Sequence, residues 1–428
     1  SFRATYSYKD TYLVEGNLGY TGSENFNKER RYGWFPSISG GWVPTQYDWY
    51  RNLLPFNNFL KFRASWGRVG NDRLKDENGN DIRFPYLTTL GNVSSTWGTG
   101  LAENRTGSMN LKWEVSTKTN FGIDARFFDD KVDMTVDFFH TKTTDIFQRR
   151  ANIPDEGGLS NVLPYANIGS MKSWGMDGTL AYTHTFNKDM ALTVRGNFTH
   201  AENEVIYWEQ SGVNYPYQSN SGVPYKVQRG LIALGLFKDE DDIKSSPKQT
   251  FMDNYRPGDI KYKDVNGDGK IDKDDVVPLN YSAVPFIQYG FALDWNYKAF
   301  RVSILFEGVS KVQYFQGGRG FYPFLNESRG NLLEMVADPR NRWIPREYAE
   351  ANGIDPALAE NPNAKFPRLT YGENKNNNQE STFWLADGKY LRLKNVDISY
   401  RFTNNWLKSR VGVESATLSL IGENLHVW

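Results

Sequence analysis

The 428-residue sequence contains no cysteine, and this absence excludes disulfide bonds and thiolate metal sites. Histidine is almost as scarce, with four in the chain. No two of the four lie at the helical spacing of a metal site, and no HExxH motif occurs. The G-x-S-x-G nucleophile turn and the P-loop are also missing. The sequence therefore offers no candidate catalytic residue, and we expect a protein that is not an enzyme.

The chain also lacks net charge and long apolar runs. Lysine plus arginine and aspartate plus glutamate number 50 each, which argues against a nucleic acid held by bulk electrostatics. No apolar run approaches the roughly 20 residues of a membrane-spanning helix. Aromatic residues nevertheless make up 15% of the chain, as expected where rings line two membrane interfaces. A membrane β-barrel reconciles these features, because only every second residue of its strands meets lipid.

Period-two alternation is the main structural signal in the sequence. It is clearest in residues 131–138, where one face of the predicted strand carries Val132, Met134, Val136 and Phe138. The opposite face carries Asp133, Thr135 and Asp137. Residues 120–127 alternate in the same way, and the short turn at Asp129 and Asp130 joins the two segments into a predicted β-hairpin.

The same alternation predicts about thirteen strands. It recurs at 60–66, 192–198, 287–296, 301–307 and 396–402. Short turns alternate with long polar loops, predicted at 71–114, 148–165, 206–224, 238–283 and 313–382. A soluble sandwich or propeller would also alternate, but its core could not hold so many inward charges. The predicted fold class is an all-β transmembrane antiparallel barrel with long extracellular loops.

Residues 264–275, with the sequence DVNGDGKIDKDD, carry oxygen ligands at the spacing of a calcium loop. The predicted ligands are the side chains of Asp264, Asn266, Asp268, Asp272 and Asp275 and the carbonyl of Lys270. The last position holds aspartate where an EF-hand has the longer glutamate, and Asp274 is a competing ligand. Helix breakers on both sides place the site in an extracellular loop over 255–280. The alternative is an Asx-rich turn that binds no metal.

Several motifs, in order along the whole chain, resemble the SusC/RagA family of TonB-linked (TonB-dependent) outer-membrane transporters. They lie at 12–18, 22–26, 33–39, 60–67, 174–178, 235–237, 257–264, 361–369 and 383–396. The most characteristic are PGDIKYKD at 257–264, NPNAKFPRL at 361–369 and FWLADGKYLRLKNV at 383–396.

The resemblance implies a plugged barrel of about 22 strands in the outer membrane of a Gram-negative, Bacteroidetes-type cell. It also implies a SusD-like surface lipoprotein as a lid over the extracellular mouth, and energy supplied by TonB. The implied activity is import of a polar oligomer, a glycan first and a peptide second. The implied partners are thus the lid, TonB, the lipid bilayer and an oligosaccharide or peptide substrate.

Two departures from the family pattern affect this expectation. Residues 1–428 correspond to the C-terminal portion of the barrel, and the signal peptide, plug, TonB-contacting segment and first strands are absent from this sequence. An insert rich in alanine and glutamate also separates Pro345 from Asn361. The alternative function is therefore a SusC-like barrel that serves as a structural component of a larger envelope assembly.

The long loops contain aromatic residues of two possible uses: Trp208, Tyr215, Tyr217, Phe315, Phe321 and Tyr322. Such rings could stack on sugar rings of a substrate, or pack against the loops or the lid. Packing is the favoured interpretation, and the sequence leaves the substrate-binding residues unknown.

Overall fold

The computed structural model describes residues 1–76, 78–96, 98–154, 162–325, 332–403 and 407–428. The strands within these ranges are β1 (Phe2–Tyr8), β2 (Tyr12–Gly22), β3 (Tyr32–Trp42), β4 (Asn57–Asn71), β5 (Thr89–Ser95), β6 (Gly98–Arg105), β7 (Glu114–Phe127), β8 (Val132–Arg149), β9 (Tyr165–Asn187), β10 (Met190–Tyr207), β11 (Val227–Gly230), β12 (Ala233–Leu236), β13 (Lys248–Gln249), β14 (Ile260–Tyr262), β15 (Lys270–Ile271), β16 (Val277–Ser282), β17 (Ile287–Tyr297), β18 (Phe300–Ser310), β19 (Gln313–Phe315), β20 (Leu385–Asp387), β21 (Tyr390–Phe402) and β22 (Ala416–Val427).

Twelve of these strands form one antiparallel sheet in the order β1-β2-β3-β4-β7-β8-β9-β10-β17-β18-β21-β22. The other strands pair in twos within the long connections, as β5–β6, β11–β16, β12–β14, β13–β15 and β19–β20. Each large-sheet strand therefore neighbours the next one along the chain, as in an up-and-down barrel wall.

The helices of the described residues are short and lie between the sheet strands. They are α1 (Asp48–Leu53), α2 (Glu240–Lys244), α3 (Glu334–Ala337) and α4 (Arg346–Ala351). Single 3₁₀ turns occur at Pro44–Gln46, Pro216–Gln218, Lys273–Asp275, Gly318–Gly320 and Pro356–Leu358, and a π-helical turn at Leu407–Val411. Within the described ranges, no helix has both the length and the apolar character needed to cross a membrane.

The connections divide between the two ends of the sheet. At one end, here called the turn end, short links such as 128–131, 188–189 and 298–299 join neighbouring strands. The opposite loop end carries the long connections 72–113, 150–164, 208–286 and 311–389. Residues 155–161 and 326–331 of these loops lie outside the described residues.

The prediction of about thirteen strands agrees with the twelve-strand sheet, but the predicted division of the loops needs one correction. The loops predicted separately at 206–224 and 238–283 belong to a single connection, 208–286. The segments between them, β11 and β12, pair with β16 and β14 inside that connection and not with the large sheet. They are four residues each, too short to cross the wall beside β10 with 18 residues and β17 with 11.

The strand register confirms the two predicted faces of the sheet. Met134 lies opposite Ala125 on one side and Leu180 on the other. Leu293 likewise lies opposite Val194 and Ile304. Because directly opposed residues in an antiparallel pair point to the same side, these side chains share one face, here called the apolar face. The other side, the polar face, carries the charged residues of the alternating pattern.

Aromatic rings mark both ends of the apolar face. At the loop end, Tyr20 and Trp34 of neighbouring strands pack with ring centroids 4.3 Å apart. At the turn end, Trp42 and Phe62 stack with centroids 5.7 Å apart. Two such aromatic zones, separated by aliphatic residues, are typical of a wall that crosses a bilayer with its rings at the two interfaces.

Candidate functional site: the polar face and the loop domain

An arginine joins three neighbouring strands on the polar face. Arg63 of β4 donates through Nε and Nη2 to Asp124 of β7, at 2.9 and 3.0 Å. It also donates through Nη1 and Nη2 to Asp137 of β8, at 2.6 Å each. Paired, parallel hydrogen bonds of this kind are among the strongest that an ion pair forms. One guanidinium thus satisfies two carboxylates that the alternation had placed on this face.

Gly122 is what allows Arg63 to reach across the middle strand. It lies opposite both Arg63 and Asp137 in the register. A Cβ atom at this position would lie 2.5 Å from Arg63 Cζ and 2.8 Å from Asp137 Oδ1. The missing side chain is therefore the space that the guanidinium occupies.

A second ion-pair group lies further along the polar face. Asp294 of β17 accepts from Arg195 of β10 and, at 3.1 Å, from Arg301 of β18. Asp294 is 5% exposed, so two cations enclose a nearly buried carboxylate. Together the two groups make the polar face a charged surface whose carboxylates are neutralised locally, which suits a water-filled or plugged lumen and not a dry core.

The connections 208–286 and 311–389 fold together into a packed unit at the loop end, here called the loop domain. Its buried core consists of Leu231, Leu236, Ile260, Tyr262, Ile271, Tyr322, Val336, Trp343, Ala364, Phe366 and Trp384. The motifs at 257–264, 361–369 and 383–396 all contribute to this core. Their shared role in this chain is to hold two distant loops against each other.

A buried carboxylate organises the centre of the loop domain. Asp259 is fully buried and accepts hydrogen bonds from the side-chain amides of Asn374 and Asn377, at 2.9 Å each. It also accepts from Arg368 Nη2 at 2.9 Å and from the backbone N–H of Arg256 at 2.7 Å. The side-chain contacts span 109 to 118 residues of sequence. Since each donor is fixed by the same carboxylate, Asp259 sets the arrangement of the two loops.

The predicted calcium ligands form a compact turn on the surface of the loop domain. Both carboxylate oxygens of Asp264 accept backbone N–H groups, from Gly267 at 2.7 Å and Gly269 at 2.9 Å. Asp275 is fully buried and accepts from the backbone of Val265 and Asp272, at 2.7 and 2.9 Å. The first and last predicted ligands therefore both close the loop.

The remaining carboxylates of the turn face a lysine. The Lys270 ammonium lies 3.2 Å from Asp272 and 3.6 Å from Asp268. The backbone N–H of Asp274, aided by Lys270, holds the pKa of the Asp272 carboxyl below its ordinary value. The Asp274 carboxylate turns away from the other ligands and accepts from Gln218 at 3.1 Å. Within the described ranges, no three histidine or acidic side chains converge as a preformed metal site.

The loop aromatics mostly pack inside the loop domain. Tyr322 is 9% exposed and meets Trp384 edge-on, with centroids 5.2 Å apart. Phe315 and Phe321 pack against the same core. Tyr217 stacks on Tyr215 and donates to the carbonyl of Asp274 at 2.6 Å. The favoured interpretation, packing between loops, describes these rings correctly.

Comparison with known proteins explains the two-faced sheet and its loops. The family described as "TonB dependent receptor-like, beta-barrel" matches residues 2–425. This chain belongs to that family. TonB-dependent receptor barrels of this type lie in the outer membrane, so the apolar face is the one in contact with lipid.

Curated relatives place this receptor barrel among those of SusC/RagA type. It is 27% identical over 442 residues to TonB-dependent receptor P26 of Formosa agariphila, a match that covers 100% of this chain and 41% of the relative. It is 23% identical over 424 residues to TonB-dependent receptor SusC of Bacteroides thetaiotaomicron, a match that covers 94% of this chain and 38% of the relative. The chain thus spans about two fifths of the length of these relatives.

Solved structures agree on the fold of this receptor barrel. The RagAB peptide transporter superposes on all of the chain with a TM-score of 0.74 at 20% identity, over 43% of the solved chain. The 'closed-closed' state of the RagAB peptide importer gives a TM-score of 0.73 over the same share. The family is one of receptors and transporters and not a class of enzymes.

Sequence reasoning missed the Asp259 centre, although it singled out the motif that contains it. The signal that could have found it is the aspartate that follows the Pro257-Gly258 turn, together with the asparagine-rich segment 374–378 far downstream. A carboxylate that is to be buried needs several donors, and side-chain amides supply them.

Proposed function

We propose that this chain is part of an importer that carries a polar oligomer across the outer membrane, a glycan first and a peptide second. In this proposal a SusD-like lipoprotein closes the loop end as a lid, and TonB supplies the energy. The observation that carries the proposal is the difference between the two faces of the sheet. The face toward lipid is apolar and has aromatic rings at both ends. The other face is charged, and the folded loop domain lies at its loop end.

The loop domain supports the idea of a lid. Two long connections that packed only against the sheet would leave the mouth lined by separate loops. Here the two connections share a hydrophobic core and a buried carboxylate, so they form one packed surface at the loop end. A rigid surface of this kind is suited to a partner that binds and releases as a unit.

The substrate class is argued from the polar face and from one cavity of the loop domain. The polar face suits glycans and peptides alike, because ion-paired side chains and amides can hydrogen-bond to either. RagAB, which shares the fold, is a peptide transporter. Glycans nevertheless come first, because a cavity in the loop domain places an arginine beside the exposed ring of Tyr348.

Uptake by intact cells tests the proposal. Cells that express the complete protein should accumulate a labelled oligomer, and loss of TonB should abolish accumulation while surface binding remains. Binding and uptake that are both unaffected by loss of TonB would contradict energy-driven import. An envelope assembly defect with no change in uptake after deletion of the gene would favour the structural role instead.

We further propose that the turn at 264–275 binds one Ca²⁺ through Asp264, Asn266, Asp268, Asp272, Asp275 and the carbonyl of Lys270. The donors are all oxygens, as calcium prefers, and they lie within one twelve-residue turn. Calcium would replace the Lys270 ammonium as the positive charge beside Asp268 and Asp272. Its role would be to stiffen an extracellular loop.

Calorimetric titration of the complete protein with CaCl₂ tests this site. Asp268→Ala should abolish the binding heat, whereas the exposed Asp253→Ala in the same loop should leave it unchanged. Equal calcium binding by wild type and Asp268→Ala, or no binding at millimolar Ca²⁺, would show that the segment is an Asx-rich turn without metal.

A further inference from the structure

A cavity of 780 Å³ opens in the loop domain, away from the turn at 264–275. Its walls come from residues 238–240, 256–257, 342–343, 345, 348, 360 and 368–369. The segment 346–360, between Pro345 and Asn361, contributes Tyr348 and Glu360 to this wall. The volume is within the range of roughly 300–1,000 Å³ that small ligands occupy in proteins.

Arg342 is the unusual residue of this cavity. It is 8% exposed, and no described carboxylate lies within ion-pair distance. Its Nε donates to the carbonyl of Ala337 at 3.4 Å, and its guanidinium lies 5.3 Å from the ring centroid of Tyr348. Its two terminal nitrogens donate to no acceptor in the described part of the chain. They are also not among the fully buried polar atoms that lack a hydrogen-bond partner there. Arg342 itself lines the cavity.

Two other arginines near the cavity, unlike Arg342, pair with carboxylates. Arg368, which also lines the cavity, pairs with Asp259 at 2.9 Å. Arg346 on the insert pairs with Glu360 at 3.3 Å. A nearly buried guanidinium without a carboxylate is costly in a folded protein, and one backbone carbonyl with one ring compensates it only in part. The arrangement fits a site whose counter-ion arrives with a ligand.

The cavity rim is mixed in charge. Lys238 and Arg256 are exposed and form no ion pair among the described residues, but Asp239 and Glu240 lie on the same rim. A general positive field therefore does not explain the site. Recognition would depend on contact with Arg342 itself, which can bind a carboxylate or sulfate with two parallel hydrogen bonds.

Tyr348 indicates the chemistry that surrounds the anion. Its ring is 41% exposed at the cavity wall, with the Arg342 guanidinium over it. A sugar ring presents a flat C–H face that packs on an aromatic ring and a charged group at its edge that can reach the guanidinium. We propose that this cavity binds the carboxylate or sulfate group of an acidic oligosaccharide, with Arg342 as its counter-ion and Tyr348 as its platform. The proposal rests on the proposed import of a polar oligomer and specifies its class.

Binding to the purified complete protein in detergent tests the site without any need for transport. The probes are an oligogalacturonate, a sulfated galactose oligomer, a neutral malto-oligosaccharide of equal length and a poly-glutamate peptide. We expect the protein to bind at least one acidic sugar more tightly than the neutral one. Arg342→Gln should weaken that binding about 10- to 100-fold, because one charge-assisted contact is lost.

Three further variants and a stability measurement accompany Arg342→Gln. Arg340→Gln removes an exposed arginine of the same loop that pairs with Asp338, and it should bind like wild type. Arg342→Lys keeps the charge and should recover part of the affinity. Thermal unfolding of each variant shows whether the loop domain is intact, and Tyr348→Ala should weaken sugar binding in a domain that stays folded.

Equal affinity for acidic and neutral sugars, or an equal loss in Arg340→Gln and Arg342→Gln, would overturn the proposal. Binding of poly-glutamate but of neither acidic sugar would assign the cavity to an acidic peptide instead. The oligogalacturonate and the sulfated oligomer separate carboxylate from sulfate. Acidic-sugar binding without cellular uptake would refute the import function and leave the site standing, whereas uptake without such binding would do the reverse.

Discussion

At the scale of single residues, the space left by Gly122 decides whether the polar face can neutralise its charges. Gly122→Val should place a side chain where the Arg63 guanidinium now lies, and break its bridge to Asp137. Overpacking of this kind costs about 1–3 kcal/mol of the free energy of unfolding. Urea unfolding of the barrel in detergent measures the change.

Gly16→Val is the matched control for that substitution. Gly16 also lies in a strand of the large sheet, but a Cβ there meets no heavy atom within 4 Å. Its free energy of unfolding should stay within about 0.5 kcal/mol of wild type. Equal effects of the two substitutions would show that the gap at Gly122 has no special role.

Asp259 is the residue on which the loop domain depends. Asp259→Ala leaves Arg368, Asn374 and Asn377 without their buried acceptor. Removal of one partner from a buried charged group costs about 3–5 kcal/mol. We expect hydrogen exchange to accelerate across both loops while the strands of the sheet remain protected.

Asp338→Ala provides the comparison for that experiment. Asp338 also pairs with an arginine, Arg340, but that arginine is exposed. Exposed ion pairs contribute about 0–1 kcal/mol, so exchange in the loops should barely change. Unchanged exchange in Asp259→Ala as well would mean that the apolar core alone holds the two loops together.

Two buried tyrosines give the loop domain a predictable response to alkali. Burial raises the pKa of Tyr262, and burial with the nearby Glu380 charge raises the pKa of Tyr322 to about 12. Since the folded pKa values exceed the ordinary value of 10, the stability they contribute is complete below pH 10 and is lost as the pH rises toward 12.

Absorbance at 295 nm reports phenolate formation directly. We expect a late-titrating class of tyrosine whose amplitude falls in Tyr262→Phe and in Tyr322→Phe, with increased protease sensitivity of the loops in wild type between pH 10 and 12. Titration of every tyrosine near pH 10 without loosening of the loops would contradict the burial of these two rings.

At the scale of elements, the alternating strands were the predictable part of this molecule. The alternation of apolar and polar residues over 131–138 predicts which side chains share a face of the sheet, and the register places Met134 and Thr135 on the expected sides. Strands β11 and β12 were not predictable, because these four-residue strands pair inside a loop with residues 24 (Leu236 with Ile260) to 55 (Val227 with Ser282) positions away. The core of the loop domain could not be predicted for the same reason, because it depends on contacts such as that between Asp259 and Asn374, which lie 115 residues apart in the sequence.

The faces of β8 and β18 can be compared by substitution with arginine. Met134→Arg and Ile304→Arg place a charge on the lipid side, which costs about 2–4 kcal/mol near the bilayer midplane. Thr135→Arg and Ser303→Arg should be mild, because Thr135 lies opposite Asp124 and Ser303 opposite Asp294. Unfolding free energies in lipid vesicles measure the difference, and equal tolerance on both faces would argue against a membrane wall.

At the scale of the whole molecule, the sheet and the loop domain have separate sources of stability. The sheet depends on strand pairing and on its lipid and lumen surroundings, while the loop domain has its own core and its own buried carboxylate. Loosening of the loops should therefore alter capture of a ligand and leave the barrel in the membrane. This separation is compatible with the proposed import function, in which the loop domain binds the ligand and the sheet remains in the membrane.

The central claim is that one face of the twelve-strand sheet meets lipid and the other lines a polar lumen. Its most direct test is a spin-label scan along residues 132–138 of β8 in lipid vesicles, and the absence of cysteine from this chain makes every introduced thiol a unique label within it. Labels at 132, 134, 136 and 138 should be accessible to oxygen dissolved in lipid, and labels at 133, 135 and 137 to a water-soluble nickel chelate. Loss of this alternation, with all seven positions equally accessible to the chelate, would contradict the claim.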